Sequence, residues 1–451
     1  MTTPPDAPLA LIVLAAGRGT RMRSALPKVL HEVAGAPLLS HAMGAGMALM
    51  PARTIVVAGE GADLVALATR AEAPEAQVAI QTERRGTAHA VAAAREALAG
   101  FEGDALVIYG DTPFIRPETL AEMRAARREG ADVVVLGFEA RDPGRYGRLV
   151  TEGGALQRIV EHADATEEER AITLCNSGVV AADAGLLMDL VAEVRPDNAQ
   201  GEFYLTDIVA IARGRGLTAR AVACPEAETM GVNSRADLAA AESAFQDAAR
   251  ASALERGVTL AAPETVFFAR DTHLEPDVTV EPHVVFGPDV RVEGGARIRA
   301  FSHLEGCRVE AGAVVGPYAR LRPGTRIGPG ARVGNFVEVK SSEIAEGAKV
   351  PHLTYIGDAA VGARANVGAG TVTCNYDGVS KHRTEIGADA FIGSSTMLVA
   401  PVSVGAGALT GSGSVITEDV PEGALAIGRG RQRNWPGRAR EIMAALRARK
   451  G

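Results

Sequence analysis

From about residue 260 the chain carries an aliphatic residue at every sixth position, and few backbones can use that period. Val309, Val315, Leu321, Ile327, Val333 and Val339 form one register; Ile386, Ile392, Leu398, Val404 and, past Thr410, Ile416 form another. Four places after many of these stands a small residue, as at Ala313, Ala319, Thr325, Ala331 and Ala408. Glycine often follows directly, as at Gly316, Gly328, Gly334, Gly387, Gly393 and Gly405. A strand alternates every two residues and a helix repeats every ~3.6, so a six-residue period calls for a chain that turns a corner in each hexad. The expected structure is a parallel β-helix with the aliphatic side chains stacked inward, the small residue in the corner and ~18 residues per coil. The register breaks at about 341–360 and again at 373–385, and such breaks are expected to mark function-bearing loops that leave the coil.

The first half is written differently. Up to about residue 230, apolar runs alternate with helical patterns: Leu11–Leu14, Thr54–Ala58, Ala105–Tyr109 and Asp132–Phe138 read as strands, and segments around 37–50, 62–71, 87–99 and 117–129 as helices. That alternation implies βαβ units and a mostly parallel, Rossmann-like sheet covered on both faces. Ser234 and Asp237 then stand at capping-box spacing before an alanine-rich run, Leu238 to Glu255, with Leu238, Ala241, Phe245 and Ala248 along one face. The expected organisation is an α/β domain over residues 1–233, a linker helix over 234–255 and the β-helix over 256–451.

Composition limits what such a chain does. A net charge of −8 over 451 residues argues against a general nucleic-acid binder. Cys175, Cys224, Cys307 and Cys374 lie far apart and form no metal or disulfide pattern. Met1 to Pro8 carries no basic leader, and no run approaches the ~18 apolar residues of a membrane span, so a cytoplasmic enzyme without a membrane span is expected.

Leu14-Ala15-Ala16-Gly17-Arg18-Gly19-Thr20-Arg21-Met22 follows the first strand directly. Met22 stands where a dinucleotide fingerprint needs its third glycine, and no Gly-Lys-Ser/Thr closes a P-loop. The segment still offers glycine-exposed backbone N–H groups beside Arg21 and Lys28, which suits a phosphate chain. Tyr109-Gly110-Asp111 places an acid at the end of a central strand, where open α/β sheets bind ligands. Magnesium is commonly held by one or two carboxylates plus substrate phosphates. In the second half, polar residues gather near the first register break: Arg322, Gly334-Asn335, Lys340, His352, Tyr355 and Asn366. About one coil later come Thr373-Cys374-Asn375-Tyr376-Asp377-Gly378 and Ser394. Arg322 and Lys340 are expected one rung apart, about 4.8 Å, with no acid between them, as a phosphate site or a repulsive accident.

These motifs, with Leu26-Pro27-Lys28, Gln81, Gly86-Thr87, Tyr146-Gly147-Arg148, Glu161-His162, Asn176-Ser177-Gly178, Tyr204 to Asp207 and Gly231-Val232-Asn233, occur in one family's order from about residue 9 to about 435. They resemble the bacterial enzymes that are both N-acetylglucosamine-1-phosphate uridylyltransferase and glucosamine-1-phosphate acetyltransferase. The resemblance implies that Leu14, Ala15, Ala16 and Gly17 hold the nucleotide, with Gln81, Gly86 and Thr87 at the uracil. It implies that Arg21 and Lys28 neutralise phosphate charge, that Asp111 and Asn233 hold Mg²⁺ beside Tyr109 and Gly110, and that Gly147, Glu161, Asn176 and Thr206 orient the sugar. For acetyl transfer it implies His352 as general base, with Arg322 and Lys340 gripping the sugar phosphate. Tyr355, Asn366, Asn375 and Tyr376 complete that pocket, the last two reaching the coenzyme, while Ala369, Ser394, Ser412 and Arg429 line the acetyl-CoA path. Ser412 and Gly428 depart from the family's usual alanine and serine. UTP, N-acetylglucosamine-1-phosphate, glucosamine-1-phosphate and acetyl-CoA are the implied substrates, and a left-handed coil and a homotrimer the implied architecture. Two readings stay beside it: a nucleotidyltransferase for another sugar whose β-helix serves only assembly, and a scaffold whose sites have decayed. Cys374 raises an acetyl-cysteine route, set below direct transfer. The tail from Arg429 to Lys450, with eight basic residues and one acid, reads as solvated apart from Arg429.

Overall fold

In the computed structural model residues 7–449 are described, and contacts divide the chain into two compact units between Phe245 and Gln246. The first unit is built on a sheet with the order Ala219–Cys224, Val133–Glu139, Leu174–Asp183, Asp104–Tyr109, Leu9–Ala15, Arg53–Ala58, Gln77–Ile80. Neighbours run parallel except around Leu174–Asp183, which is antiparallel to both of its partners and also pairs with the hairpin Arg148–Glu152/Ala155–Val160. Leu9–Ala15 is buried along its whole length, as a strand covered on both faces must be. Its alternate residues feed two cores: Ala10, Ile12 and Leu14 on one face, Leu9, Leu11, Val13 and Ala15 on the other. The chain crosses from Leu9–Ala15 to Arg53–Ala58 on one side and later returns to Asp104–Tyr109 on the other. The crossover direction therefore reverses between Leu14 and Tyr109, which opens a crevice at the strands' carboxyl ends.

Helices fall at Leu38–Met47, Ala62–Glu72, Thr87–Ala92 and Pro117–Arg128. The third is shorter than its sequence pattern. Past Ala92 the backbone continues in turns, with Arg95, Leu98 and Ala99 each bonding the carbonyl three residues back. That is the tighter winding typical of helix ends. The capping box forms: Ser234 Oγ accepts from Asp237 N–H at 3.2 Å, and Asp237 Oδ2 accepts from Ser234 N–H at 2.9 Å. It starts the helix Arg235–Glu255, three residues ahead of the apolar pattern, because the box and not the first leucine sets the first turn.

The second unit is a coil of three all-parallel sheets with ten, eight and eight strands. In the first sheet Thr279, Arg297, Val314, Arg332, Lys349, Asn366, Phe391 and Leu409 lie on successive rungs. The periodic aliphatics Val309, Val315, Leu321, Ile327, Val333 and Val339 are all buried, as are Ala313, Ala319, Thr325 and Ala331 at the corners. The two register breaks differ in kind. The second is an insertion: the rung from Asn366 to Phe391 is longer than a regular coil, and the excess forms a loop around Tyr376–Lys381 closed by an isolated bridge. The first is no loop. Arg332 pairs with Lys349 and Lys349 with Asn366, so each of these coils is one residue shorter than the coil from Val314 to Arg332. Dropping one corner residue shifts the hexad phase in sequence as much as an inserted loop would. Among the described residues no helix is long and apolar enough to cross a membrane.

Candidate active sites

In the first unit a cavity of about 280 Å³ opens in the crevice, lined by Leu14, Ala16, Gly17, Lys28, Gln81, Gly86, Thr87, Tyr109 and Asp111 among the expected residues. Val29, Arg84, Ala90 and Glu202 complete the wall; sequence reasoning missed these four, although Arg84 lies two residues before the Gly86 turn. Ala15 is buried in the strand behind the cavity. Gly86 has φ +118°, and a Cβ there would strike the Phe203 carbonyl, so the turn into Thr87–Ala92 requires glycine. Gln81 Nε2 donates to the Gly86 carbonyl at 3.2 Å, which fixes an amide at the cavity wall. Tyr109 is partly buried and packs against Gly178, and desolvation together with the nearby Asp111 carboxylate pushes its phenol far up in pKa, so it stays neutral.

Lys28, Asp111 and Asn233 converge. The Lys28 ammonium pairs with Asp111 and donates to Asn233 Oδ1 at 3.0 Å, with both ends of the ion pair mostly buried. Two oxygens thus already face one cation, and a carboxylate with an amide oxygen is a donor set for a hard metal. Among the described residues no cluster of three or more His, Cys, Asp or Glu could hold a metal; in sites with one or two protein ligands, waters and substrate phosphates complete the shell. Arg21 is exposed on the turn Thr20–Met22 and free of ion pairs among the described residues. Gly110 bonds the Leu14 carbonyl through its N–H at 3.0 Å, which sets the turn that aims Asp111.

A second group lies around the hairpin. Thr206 Oγ1 donates to Glu161 at 3.2 Å, and Asn176 N–H donates to the Gly147 carbonyl at 2.8 Å. A Cβ on Gly147 would touch the Glu161 carboxylate at 3.4 Å, so four residues far apart in sequence share one small space. Burial pushes the Glu161 carboxyl up, the Thr206 hydroxyl pulls it back, and Asp207 and Asp164 add to the rise.

On the coil, Arg320 pairs with Glu338 and Leu321 with Val339, so Arg322 and Lys340 do sit one rung apart. The expected absence of acid is corrected: Arg322 binds Glu338 at 2.8 Å and Lys340 lies 4.0 Å from Asp358. Parallel stacking sets an acid of the following rung beside each cation. Asn375 Nδ2 also donates to Asp358. Gly357 passes beneath Tyr355 and Asn375, and any Cβ there would collide with the Tyr355 hydroxyl. Lys381, from the inserted loop, stands beside Lys340, whose contact and charge lower its pKa while Asp358 and Tyr355 oppose the shift. Sequence reasoning missed both Lys381 and Asp358, because only the coil's register brings them to Lys340. Asn366 shares rungs with Lys349 and Phe391, and no side-chain hydrogen bond joins it to this cluster among the described residues.

One corner of the coil carries the rest. Gly370 N–H donates to the His352 carbonyl at 3.4 Å, Ser395 N–H to Ala369 at 2.7 Å, and Gly413 N–H to Ser394 at 2.8 Å. Arg429 packs over Gly413. His352, Ala369, Ser394, Ser412 and Arg429 thus climb neighbouring coils along one edge. His352 is exposed, with Nδ1 2.5 Å from Asn335 Oδ1. Tyr376 is exposed, its hydroxyl turned to the Gly378 carbonyl at 2.6 Å. Cys374 gives its thiol to the Val372 carbonyl at 3.9 Å, and burial pushes its pKa up, which makes it a poor nucleophile.

A phosphate-ready crevice on an α/β sheet, joined to a hexapeptide coil that carries a cation cluster and an exposed histidine, defines a nucleotidyltransferase fused to an acyltransferase. Residues 11–196 match the family model for the MobA-like NTP transferase domain, and residues 306–341 match the bacterial transferase hexapeptide model of six repeats. "Bifunctional protein GlmU" of Jannaschia sp. (strain CCS1) is 64% identical over 441 residues, 98% of this chain and 97% of its own. The protein of that name from Dinoroseobacter shibae is 65% identical over 442 residues, 98% of each chain, and that from Paracoccus denitrificans 61% over 446 residues, 99% of each. This chain belongs to the bifunctional GlmU family. It is a bifunctional transferase, with uridylyltransferase and acetyltransferase activities, an α/β first half and a left-handed hexapeptide β-helix. Membership implies a divalent metal at the nucleotidyltransferase site.

Proposed function

We propose that the two sites work in series to make UDP-N-acetylglucosamine. On the coil, Arg322, Lys340 and Lys381 receive the phosphate of glucosamine-1-phosphate, while Tyr355, Asn366, Asn375 and Tyr376 frame the sugar. His352 takes a proton from the amine as its nitrogen attacks the thioester carbonyl of acetyl-CoA. The C–N bond forms, the C–S bond breaks, and coenzyme A leaves along the edge of Ala369, Ser394, Ser412 and Arg429. A neutral imidazole suits this task near neutral pH. In the first unit, Leu14 to Gly17, Gln81, Gly86 and Thr87 seat the uridine, and Gly147, Glu161, Asn176 and Thr206 orient N-acetylglucosamine-1-phosphate. Its phosphate oxygen attacks the α-phosphorus of UTP and the bond to pyrophosphate breaks. Arg21 and Lys28 balance the phosphate charge, so positioning and charge neutralisation carry the step without a protein nucleophile. Mg²⁺, held by Asp111 and Asn233, supplies further charge neutralisation at the triphosphate when bound.

The observation that carries this reading is that one chain holds two complete charged clusters, Lys28–Asp111–Asn233 at a cavity and Arg322, Lys340 and Lys381 around Asp358. Glucosamine-1-phosphate, acetyl-CoA, UTP and Mg²⁺ supplied together should yield UDP-N-acetylglucosamine, pyrophosphate and free coenzyme A in equal amounts. UDP-sugar made only from pre-acetylated substrate, with no thiol released, would leave the coil as an assembly element. Lys340→Ala should raise KM for glucosamine-1-phosphate roughly 10–100-fold with kcat little changed, because a charge-assisted bond is lost from ground and transition states alike. Steady-state thiol release reads both constants.

We also propose a cytoplasmic homotrimer with acetyl-transfer sites between subunits. Support comes from a ladder up one corner of the coil, in which His283, Phe301, Tyr318 and Phe336 stack at centroid distances of 4.8–5.1 Å. Its three carbocyclic rings are about half exposed in the single chain, an apolar stripe of the kind that marks protein contacts. Light scattering on the same preparation counts the copies, and a monomer at working concentration would refute this assembly.

A further inference from the structure

We propose that Asn335 is a positioning residue that sets the tautomer of His352, leaving Nε2 as the unprotonated base. The inference rests on the reading of His352 as general base. Strand Arg332–Asn335 lies parallel to Lys349–His352 with Asn335 directly opposite His352, and Asn335 Oδ1 stands 2.5 Å from the imidazole Nδ1. An amide oxygen only accepts, so Nδ1 must carry the hydrogen and Nε2 keeps its lone pair for the incoming amine. A free histidine side chain favours the opposite tautomer, with hydrogen on Nε2, so an external partner is needed to hold this one.

The backbone keeps the pair in register. Leu353 N–H donates to the Asn335 carbonyl at 3.0 Å, and the His352 carbonyl accepts from Thr354 Oγ1 at 2.6 Å and Gly370 N–H at 3.4 Å. A base oriented by a third group is the logic of catalytic triads. Here the third group is neutral. A carboxylate in its place would also stabilise the imidazolium and hold the base protonated to higher pH. The charged residues of the two paired strands, Arg332 and Lys349, stand opposite each other three positions earlier, and His352 itself forms no ion pair among the described residues.

The test uses full-length protein labelled with ¹⁵N-histidine, at a pH where the imidazole is neutral. Nine histidines give signals, and the pair lost in His352→Ala belongs to His352. The expected spectrum shows a protonated Nδ1 and a bare Nε2. Asn335→Ala should move the proton to Nε2 and lower kcat roughly 10–100-fold, part of the ~10²–10⁴ a general base supplies. KM for glucosamine-1-phosphate should hold, since Asn335 takes no part in the phosphate site. Asn335→Asp, nearly isosteric, should restore the Nδ1–H tautomer and most of kcat at alkaline pH, which a merely structural role would not do. If Asn335→Ala melts early, Asn335→Asp and the wild-type spectrum carry the test. A wild-type spectrum with hydrogen on Nε2 would mean the amide is turned over and donating, which overturns the proposal. So would an Asn335→Ala enzyme with unchanged tautomer and kcat. Near-normal kcat in His352→Ala would instead remove the base assignment itself.

Discussion

Replacing His352 with alanine should lower kcat for acetyl transfer by roughly 10²–10⁴-fold, the range lost with a general base. The amine then has no acceptor for its proton while the C–N bond forms. Uridylyl transfer on supplied N-acetylglucosamine-1-phosphate should be untouched, because its residues lie in the other compact unit. Cys374→Ala serves as the contrast and should cost far less, since the thiol is turned to a backbone carbonyl and its pKa is raised by burial. Thiol release measured for both variants decides between the routes. Collapse in Cys374→Ala with the coil intact would establish a covalent acetyl-cysteine and dethrone the imidazole.

Asp111→Asn should cut UDP-sugar formation by at least roughly 10²–10³-fold, the scale of losing one preorganised charge-stabilising group. The effect has two sources. The variant removes the one carboxylate among the proposed metal ligands, and it leaves the mostly buried Lys28 ammonium with only Asn233. Breaking a buried pair by deleting one partner is costly in itself, so the melting temperature of the first unit should drop as well. Pyrophosphate release across a Mg²⁺ titration, with acetyl transfer as an internal control, makes the measurement. Undiminished turnover at saturating Mg²⁺ would place the metal elsewhere.

How much of this was legible depends on how local each signal is. The coil was readable because every hexad repeats the same aliphatic and corner residues, so that a single misfit such as Thr410 does not hide the period. Leu9–Ala15 was readable because a fully buried strand must be apolar throughout. The order Leu14 to Met22, then Asp111, also pointed to a ligand crevice at the strand ends. What escaped depends on register. A shortened coil and an inserted loop look alike in sequence, since both shift the hexad phase, and only the pairing of Arg332 with Lys349 separates them. The same ambiguity hid Asp358 and Lys381, whose partner Lys340 lies one rung below the first and far ahead of the second along the chain. Asn335 was visible as part of Gly334-Asn335, yet nothing in the sequence says that a rung sets it opposite His352.

A stack of parallel strands has no natural end, and its last rung offers unpaired backbone groups to any further strand. In this chain the final rung pairs Leu409 with Leu425 and Thr410 with Ala426, and Gly428 then accepts the N–H of Val415. The chain leaves that rung through Arg429, Arg431 and Arg433, all exposed. Every copy therefore brings the same positive charges to the place where head-to-tail growth would begin. Repeat proteins need polar caps to stay soluble, and here the cap includes an arginine proposed to meet the coenzyme's phosphates. One residue would then serve both to hold a substrate and to keep an enzyme from becoming a fibre.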